Sequence, residues 1–333
     1  MPTVLVTMLF TEQQLGKIRA VSPELEVTCE DAGQADYSHT DILYAGSPPR
    51  NLARAPRLKW VQVHMAGVNA LYDHPLYTDT AIPLTTTSGV HAATIAEYTI
   101  AMLLALAHRV PRMVEWKARG GWPPDEDRWP LFVPTEIRGS TLGIVGYGSI
   151  GRELARIAKS AFGMRILVCK RDPSRREDTG YALPGTGDPT GALPDGWFAP
   201  DELHDLLARS DAVVNCAPLT RETERMIDAA ALRAMKPSGY FINVGRGASV
   251  DEGALANALR EKQIAGAAID VFAQEPPPAG HPLYGLDNVI VSPHVSGFLP
   301  SYDDKCAELF AQNLRRYLAG EPLLNLVDRA KGY

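Results

Sequence analysis

The run Thr141-Leu142-Gly143-Ile144-Val145-Gly146-Tyr147-Gly148-Ser149-Ile150-Gly151 decides how this chain is read. Residues 141–145 form a short apolar stretch of β character. From Ser149 onward Ile150, Leu154, Ile157, Ala158 and Ala161 recur on one face of a helix. Between strand and helix stand Gly146, Gly148 and Gly151 in the spacing GxGxxG. In such a turn the first glycine permits the tight reversal, the second lets the backbone approach a pyrophosphate, and the third lets helix and strand lie close. Ser149 and Ile150 then open the helix with N–H groups and a partial positive charge aimed at the phosphates. The spacing alone is weak, but a strand before it and a helix after it make it a dinucleotide-binding turn.

Beyond the turn the βα rhythm continues. Strands are expected at 166–169, 212–216, 240–244, 265–270 and 289–292, with a helix at 252–262, which describes a doubly wound parallel sheet. Upstream, β-rich runs at 4–7, 41–45, 58–63 and 82–86 alternate with helical or turn segments and suggest a second parallel sheet. Residues 91–108 are apolar on nearly all faces and form a long buried helix. Gly120, Gly121, Pro123, Pro124, Pro130 and Pro134 then interrupt regular structure among Trp116, Trp122 and Trp129, so a structured loop is expected there. The last helix, 301–318, is too short a remainder to form a domain and is expected to pack back on the first. The fold class is therefore α/β: a doubly wound, Rossmann-type cofactor domain at 106–296 inserted into a flavodoxin-like α/β substrate domain built from 1–105 and 297–333.

Composition bounds the rest. A chain of 333 residues that is 45% hydrophobic can bury a large core, and its length suits two domains. Cys29, Cys169, Cys216 and Cys306 lie far apart without CxxC spacing, so neither a metal site nor a disulfide framework is expected. The N-terminus has no basic n-region or cleavage site, and the most apolar run, 100–107, falls far short of the roughly 20 residues a membrane span needs. A cytoplasmic protein without a membrane partner is expected. A formal charge of −6 disfavours a nucleic-acid partner.

One local basic patch has a specific meaning. NAD-preferring sites place an acidic residue about 20 positions beyond the glycine turn to bond the ribose hydroxyl. This chain has Lys170 and Arg171 there, followed by Arg175 and Arg176, which suits a 2'-phosphate. The same side chains also read as a solvated loop face, and Asp172 is close enough to take the acidic role if the strand ends late. The narrow preference is NADP over NAD.

Several further motifs, in order, resemble the D-isomer-specific 2-hydroxyacid dehydrogenase family over residues 58–318. These are Gly139-Ser140-Thr141-Leu142-Gly143-Ile144 before the turn; 210–215 followed by Pro218-Leu219-Thr220 and Thr223; Met235-Lys236-Pro237 with Phe241-Ile242-Asn243-Val244-Gly245-Arg246-Gly247; 266–272 with Glu275-Pro276; and Ser292-Pro293-His294-Val295-Ser296-Gly297. The resemblance implies transfer of a hydride between NAD(P)H and a small 2-oxo or 2-hydroxy acid, with Arg246, Glu275 and His294 as the catalytic trio. Chemistry gives each a reason. His294 would exchange a proton with the substrate oxygen, Glu275 would fix its tautomer through the other ring nitrogen, and Arg246 offers a planar charged fork for a carboxylate and carbonyl. Taken singly they read as a helix-end salt bridge, a loop acid and a strand-end histidine. Their joint occurrence in the family's motifs favours catalysis.

The same resemblance implies cofactor contacts from Cys216, Ala217, Pro218, Thr223, Val244, Gly245 and Gly297, with Asp270 at the nicotinamide side. It also implies a substrate loop, Val63-His64-Met65-Ala66-Gly67-Val68-Asn69, whose Ala66 and Gly67 would present backbone N–H groups to the substrate carboxylate. Asn69 stands where the family often has Asp. His64 would touch substrate or serve structure, and is not counted catalytic. Residues 88–97, SGVHAATIAE, resemble the family's helix start beside the cleft. The Trp-rich loop would close over substrate or form the contact of a homodimer. The rival reading is a non-turnover, NAD(H)-sensing scaffold like the corepressors on this fold, against which the intact trio argues. One departure remains: the Pro/Gly-rich segment 180–200 is longer than the family's usual connection. It is expected either to cover the ribose or 2'-phosphate or to be a tolerated surface insertion.

Overall fold

A computed structural model describes residues 1–333. In chain order its elements are β1 (Thr3–Val6), α1 (Glu12–Arg19), β2 (Glu26–Cys29), β3 (Ile42–Ala45), β4 (Trp60–Val63), α2 (Pro75–Thr78), β5 (Leu84–Thr85), α3 (Ala92–Ala107), α4 (Val110–Ala118) and α5 (Asp125–Phe132). They continue as β6 (Thr141–Val145), α6 (Ser149–Phe162), β7 (Arg165–Cys169), β8 (Gly196–Phe198), α7 (Leu203–Arg209), β9 (Ala212–Asn215) and α8 (Ala229–Ala234). The last are β10 (Tyr240–Asn243), α9 (Glu252–Arg260), β11 (Gly266–Ile269), β12 (Val289–Val291) and α10 (Tyr302–Leu318).

Residues Met1–His91, Thr179–Leu183 and Leu299–Tyr333 pack as one unit, and Ala92–Asp178 with Pro184–Phe298 as another. In the first, five parallel strands run in the order β2-β1-β3-β4-β5, the flavodoxin-like order. In the second, seven parallel strands run β12-β11-β10-β9-β6-β7-β8, a Rossmann order whose direction reverses between β6 and β9. Strands covered on both faces read as continuous apolar runs. Ala212–Asn215 and Tyr240–Asn243 are buried at every position, and each sheet has an apolar core on either side. No single helix is long and apolar enough to cross a membrane.

The sequence expectations are corrected in four places. β2 and β8 were not expected; each lies at a sheet edge, where one covered side demands less apolar sequence. The expected loop after α3 holds two helices, α4 and α5, with Pro130 inside the second. The first boundary falls at His91–Ala92 rather than after residue 105, because α3 packs on α6 and shares a core with Ile144, Leu154 and Tyr240. The second falls at Phe298–Leu299 rather than after 296.

The fourth concerns the segment 180–200, which is anchored in the fold rather than being a mere surface insertion. Tyr181 is buried in the core of the first unit, and its N–H donates to Asn325 Oδ1 at 3.0 Å. Residues Gly196–Phe198 supply the third strand of the Rossmann order. Between them the chain wraps Arg152, which is 2% exposed on the first turn of α6. The guanidinium donates to the carbonyls of Asp188 and of Arg176, the latter at 2.7 Å, lies 3.4 Å from the Asp178 carboxylate, and sits over the Tyr147 ring at 4.7 Å. Tyr147 donates to Asp188 Oδ2 at 2.7 Å, and Asp188 also accepts from the N–H groups of Ala192 and Leu193. A buried charge needs such partners, and the segment provides them.

Candidate active site

The glycine turn is built as its spacing predicts. Gly146 has φ of 93°, and a Cβ there would lie 2.8 Å from the Ala217 backbone. At Gly151 a Cβ would lie 2.5 Å from the Gly146 carbonyl oxygen, so the helix meets the turn only because both lack side chains. That oxygen also accepts from Cys216 Sγ at 2.9 Å; burial pushes the Cys216 thiol up to about 12 and keeps it a protonated donor. No side chain caps α6, and the N–H groups of Gly148, Ser149 and Ile150 donate to no protein group. Open donors at a helix start, with room for close approach, fit a dinucleotide pyrophosphate. Ala217 and Val244 are buried beside the turn, and the Gly245 N–H donates to Asn243 Oδ1 at 3.2 Å. Thr223 closes the 218–223 loop, accepting from Thr220 N at 2.8 Å and donating to the Pro218 carbonyl at 2.7 Å.

The basic cluster lies directly after β7, which ends at Cys169. Lys170 turns its ammonium onto the Arg175 carbonyl, and burial, with Arg152 nearby, lowers its pKa. Arg171 is 3.4 Å from Glu222 and partly exposed. Arg176 lies over Trp197 at 5.5 Å. Asp172 caps its own turn, accepting from the Ser174 N–H and hydroxyl, and those bonds lower its pKa. The strand does not end late, so Asp172 is committed to the turn.

The trio gathers on the carboxyl edge of the second sheet, from loops that follow β10, β11 and β12. Gly247 permits this. A Cβ on it would lie 1.8 Å from the Phe272 carbonyl carbon, so the loop carrying Arg246 rests directly on the loop leading to Glu275. Glu275 Oε1 accepts from the Phe272 N–H at 2.9 Å, leaving Oε2 for His294 Nδ1 at 2.7 Å. A carboxylate only accepts, so Nδ1 carries the proton toward Glu275, and no protein group bonds Nε2. His294 and Glu275 side chains are 52% and 37% exposed, so the pair is reachable. Arg246 anchors Nη1 on the Gly245 carbonyl at 2.7 Å.

Asp270, expected as a cofactor contact, is 1% exposed and sets the loop that carries His294. Its carboxylate accepts from Ser292 Oγ at 2.6 Å and from the N–H groups of Val295 and Ser296 at 2.9 and 3.1 Å. Its carbonyl accepts from the His294 N–H at 2.9 Å, which holds His294 at a left-handed φ of 55°. Gly297 follows within a tight turn closed by Phe298 N–H to the Val295 carbonyl at 3.0 Å.

In the first unit the loop after β4 stands on the carboxyl edge of its own sheet. Met65 O accepts from Thr87 N–H at 3.0 Å, and Val68 O from Leu71 N–H at 2.8 Å. The N–H groups of Ala66, Gly67 and Val68 donate to no protein group, although Ala66 and Gly67 are half-buried. Unpaired backbone N–H groups of this kind are available to donate to an anion. Asn69 is turned away, donating to the Tyr72 hydroxyl at 3.1 Å. Asp303, the acid 3.3 Å from His64, is a neighbour that sequence reasoning misses, since the pairing joins distant parts of the chain.

A dinucleotide turn and an imidazole–carboxylate pair with a guanidinium, all at one carboxyl edge, define an NAD(P)-dependent oxidoreductase. The family model described as "D-isomer specific 2-hydroxyacid dehydrogenase, NAD binding domain" matches residues 100–296. The chain belongs to the D-isomer specific 2-hydroxyacid dehydrogenase family. It is 37% identical over 314 residues to the glyoxylate reductase of Aeropyrum pernix, covering 92% of this chain and 87% of that one. It is 39% identical over 282 residues to the glyoxylate reductase of Thermococcus onnurineus, covering 83% and 78%. Among solved structures, the family member from Xanthobacter autotrophicus Py2, in complex with NADPH and MES, aligns over 100% of this chain and 99% of that one, with a TM-score of 0.79 and 30% identity.

Proposed function

We propose that the protein reduces glyoxylate, hydroxypyruvate or a close homologue to the D-2-hydroxy acid, with NADPH preferred over NADH. The observation that carries this reading is the 2.7 Å bond between His294 Nδ1 and Glu275, which leaves Nε2 as a reachable proton donor. A nicotinamide dinucleotide held by its pyrophosphate at the glycine turn would supply the hydride. Protonated His294 donates from Nε2 to the substrate oxygen as the carbonyl is reduced, and neutral His294 takes that proton back in the reverse direction. Glu275 keeps the ring in the working tautomer. In the second unit Arg246 offers its fork to a carboxylate or carbonyl oxygen; in the first, the free N–H groups of Ala66 and Gly67 can receive a carboxylate. The relatives named glyoxylate reductase support the substrate class. A panel of 2-oxo acids assayed with both reduced cofactors tests it; absence of oxidation across the panel would overturn it.

The cofactor preference rests on the cationic end of β7, on Asp172 being committed to its turn, and on the NADPH bound by the Xanthobacter relative. The double variant Lys170→Asp, Arg171→Ala is expected to raise the KM for NADPH about tenfold or more and to leave the KM for NADH within about threefold. The expected size is that of one or two lost charge-assisted bonds. Unchanged preference would show that both side chains are merely solvated. We further infer a homodimer formed through α4 and α5, where Met113, Val114, Trp122 and Trp129 are 45–80% exposed. Sedimentation of Trp129→Asp alongside the parent tests this, with a shift toward monomer as the expected result.

A further inference from the structure

β4 delivers His64 to the carboxyl edge of the first sheet, two residues before the first free N–H of the loop, that of Ala66. Its ring is held at both nitrogens. Nδ1 is 2.6 Å from the Tyr44 hydroxyl and Nε2 is 3.3 Å from Asp303 Oδ1, at the start of α10. Because the carboxylate only accepts, neutral His64 carries its proton on Nε2, and Tyr44 donates to Nδ1. Phe10, Tyr44 and Tyr302 meet the ring edge to face, and only 13% of the side chain is exposed. With both nitrogens engaged and most of the side chain covered, the backbone is the route by which this histidine would act on substrate.

That backbone is clamped on both sides of Met65. The His64 carbonyl accepts from the Tyr302 hydroxyl at 3.0 Å. Tyr302 is fixed by Thr87 Oγ1 at 2.9 Å and stacks on His91 with ring centroids 4.5 Å apart. The Thr87 N–H in turn holds the Met65 carbonyl at 3.0 Å. Burial lowers the pKa of His64 against the opposing pull of Asp303, which agrees with a neutral ring accepting from Tyr44. The free N–H groups of Ala66 and Gly67 are thus preceded by three fixed points: the His64 ring between Tyr44 and Asp303, the His64 carbonyl on Tyr302, and the Met65 carbonyl on Thr87.

We propose that His64 is a positioning residue for substrate binding. Its ring, bonded to Tyr44 and Asp303, sets the direction of the Ala66 and Gly67 N–H groups that receive the carboxylate of a small 2-oxo acid. The inference rests on the reading of those two residues as the carboxylate site. It assigns to this histidine and its two partners a part in affinity rather than in the transfer of hydride or proton.

The test uses oxamate, an unreactive carboxylate, titrated into the full-length enzyme with bound NADPH, together with KM and kcat for glyoxylate. Asp303 is half-exposed at a helix start, so Asp303→Ala retains the fold even if His64→Ala does not. Asp303→Ala is expected to weaken oxamate binding and raise KM about tenfold, the scale of one lost hydrogen bond. Over the same comparison kcat and NADPH affinity should stay within about twofold. Asp303→Asn keeps an oxygen acceptor and should remain close to the parent. Unchanged oxamate affinity in Asp303→Ala, equal damage in Asp303→Asn, or a parallel loss of NADPH affinity would each overturn the proposal. If the parent binds oxamate, and the variants lose it, while no 2-oxo acid is reduced, positioning stands and the proposed activity falls. A parent that reduces glyoxylate without binding oxamate overturns the positioning role and leaves the proposed activity standing.

Discussion

Replacing His294 with alanine is expected to lower kcat for 2-oxo acid reduction by about two to four orders of magnitude near neutral pH. The loss should fall on kcat, because the imidazole exchanges its proton only as the carbonyl is reduced, and such an interaction is realised in the transition state. NADPH affinity should be retained, since the donors at the start of α6 and the glycine turn are untouched by the change. Stopped-flow reduction and fluorescence titration of the same preparations separate the two quantities. A variant turning over near the parental rate would remove His294 from the chemistry. Glu275→Gln should fall between the two: an amide oxygen can still accept from Nδ1–H, but without the charge that steadies the imidazolium.

The second large effect belongs to a residue with no side chain. At Gly247 a Cβ would stand 1.8 Å from the Phe272 carbonyl carbon, so Gly247→Ala must move one loop by roughly 1.5 Å to reach ordinary van der Waals separation. Arg246 immediately precedes it, and the other loop leads to Glu275. Displacement of about an ångström between catalytic groups costs on the order of a hundredfold in rate. Gly247→Ala is therefore expected to lose about that much in kcat/KM, with a destabilisation of about 1–3 kcal/mol from overpacking. The measurement is kcat/KM beside thermal unfolding; wild-type activity in a normally folded variant would show that the two loops do not locate each other.

Much of this site was legible in the sequence because its chemistry sits where short motifs meet strand ends. GxGxxG between a strand and a helix reports backbone geometry that only those residues allow, and Arg246, Glu275 and His294 each follow a strand of one sheet. What stayed hidden depends on partners distant along the chain or on weak local patterns. β8 has three residues in a Gly/Pro-rich stretch and is a strand only because β7 pairs with it. The helices α4 and α5 were obscured by the glycines and prolines around them. Nothing near Asp270 in the sequence announces that its carboxylate is committed to Ser292, Val295 and Ser296. The His64–Asp303 pair joins the two ends of the first unit's sequence, which periodicity cannot detect.

The enclosure of Arg152 constrains any attempt to shorten this enzyme. Trimming the long excursion after β7 to a brief connector would strand a guanidinium in an apolar interior, at a cost of about 3–5 kcal/mol, on the same helix whose first turn carries the open N–H donors. The excursion and residue 152 thus behave as one heritable unit: a chimera that borrows a compact connector must also replace the arginine with an uncharged side chain of matching bulk, or it forfeits its nucleotide-binding lobe.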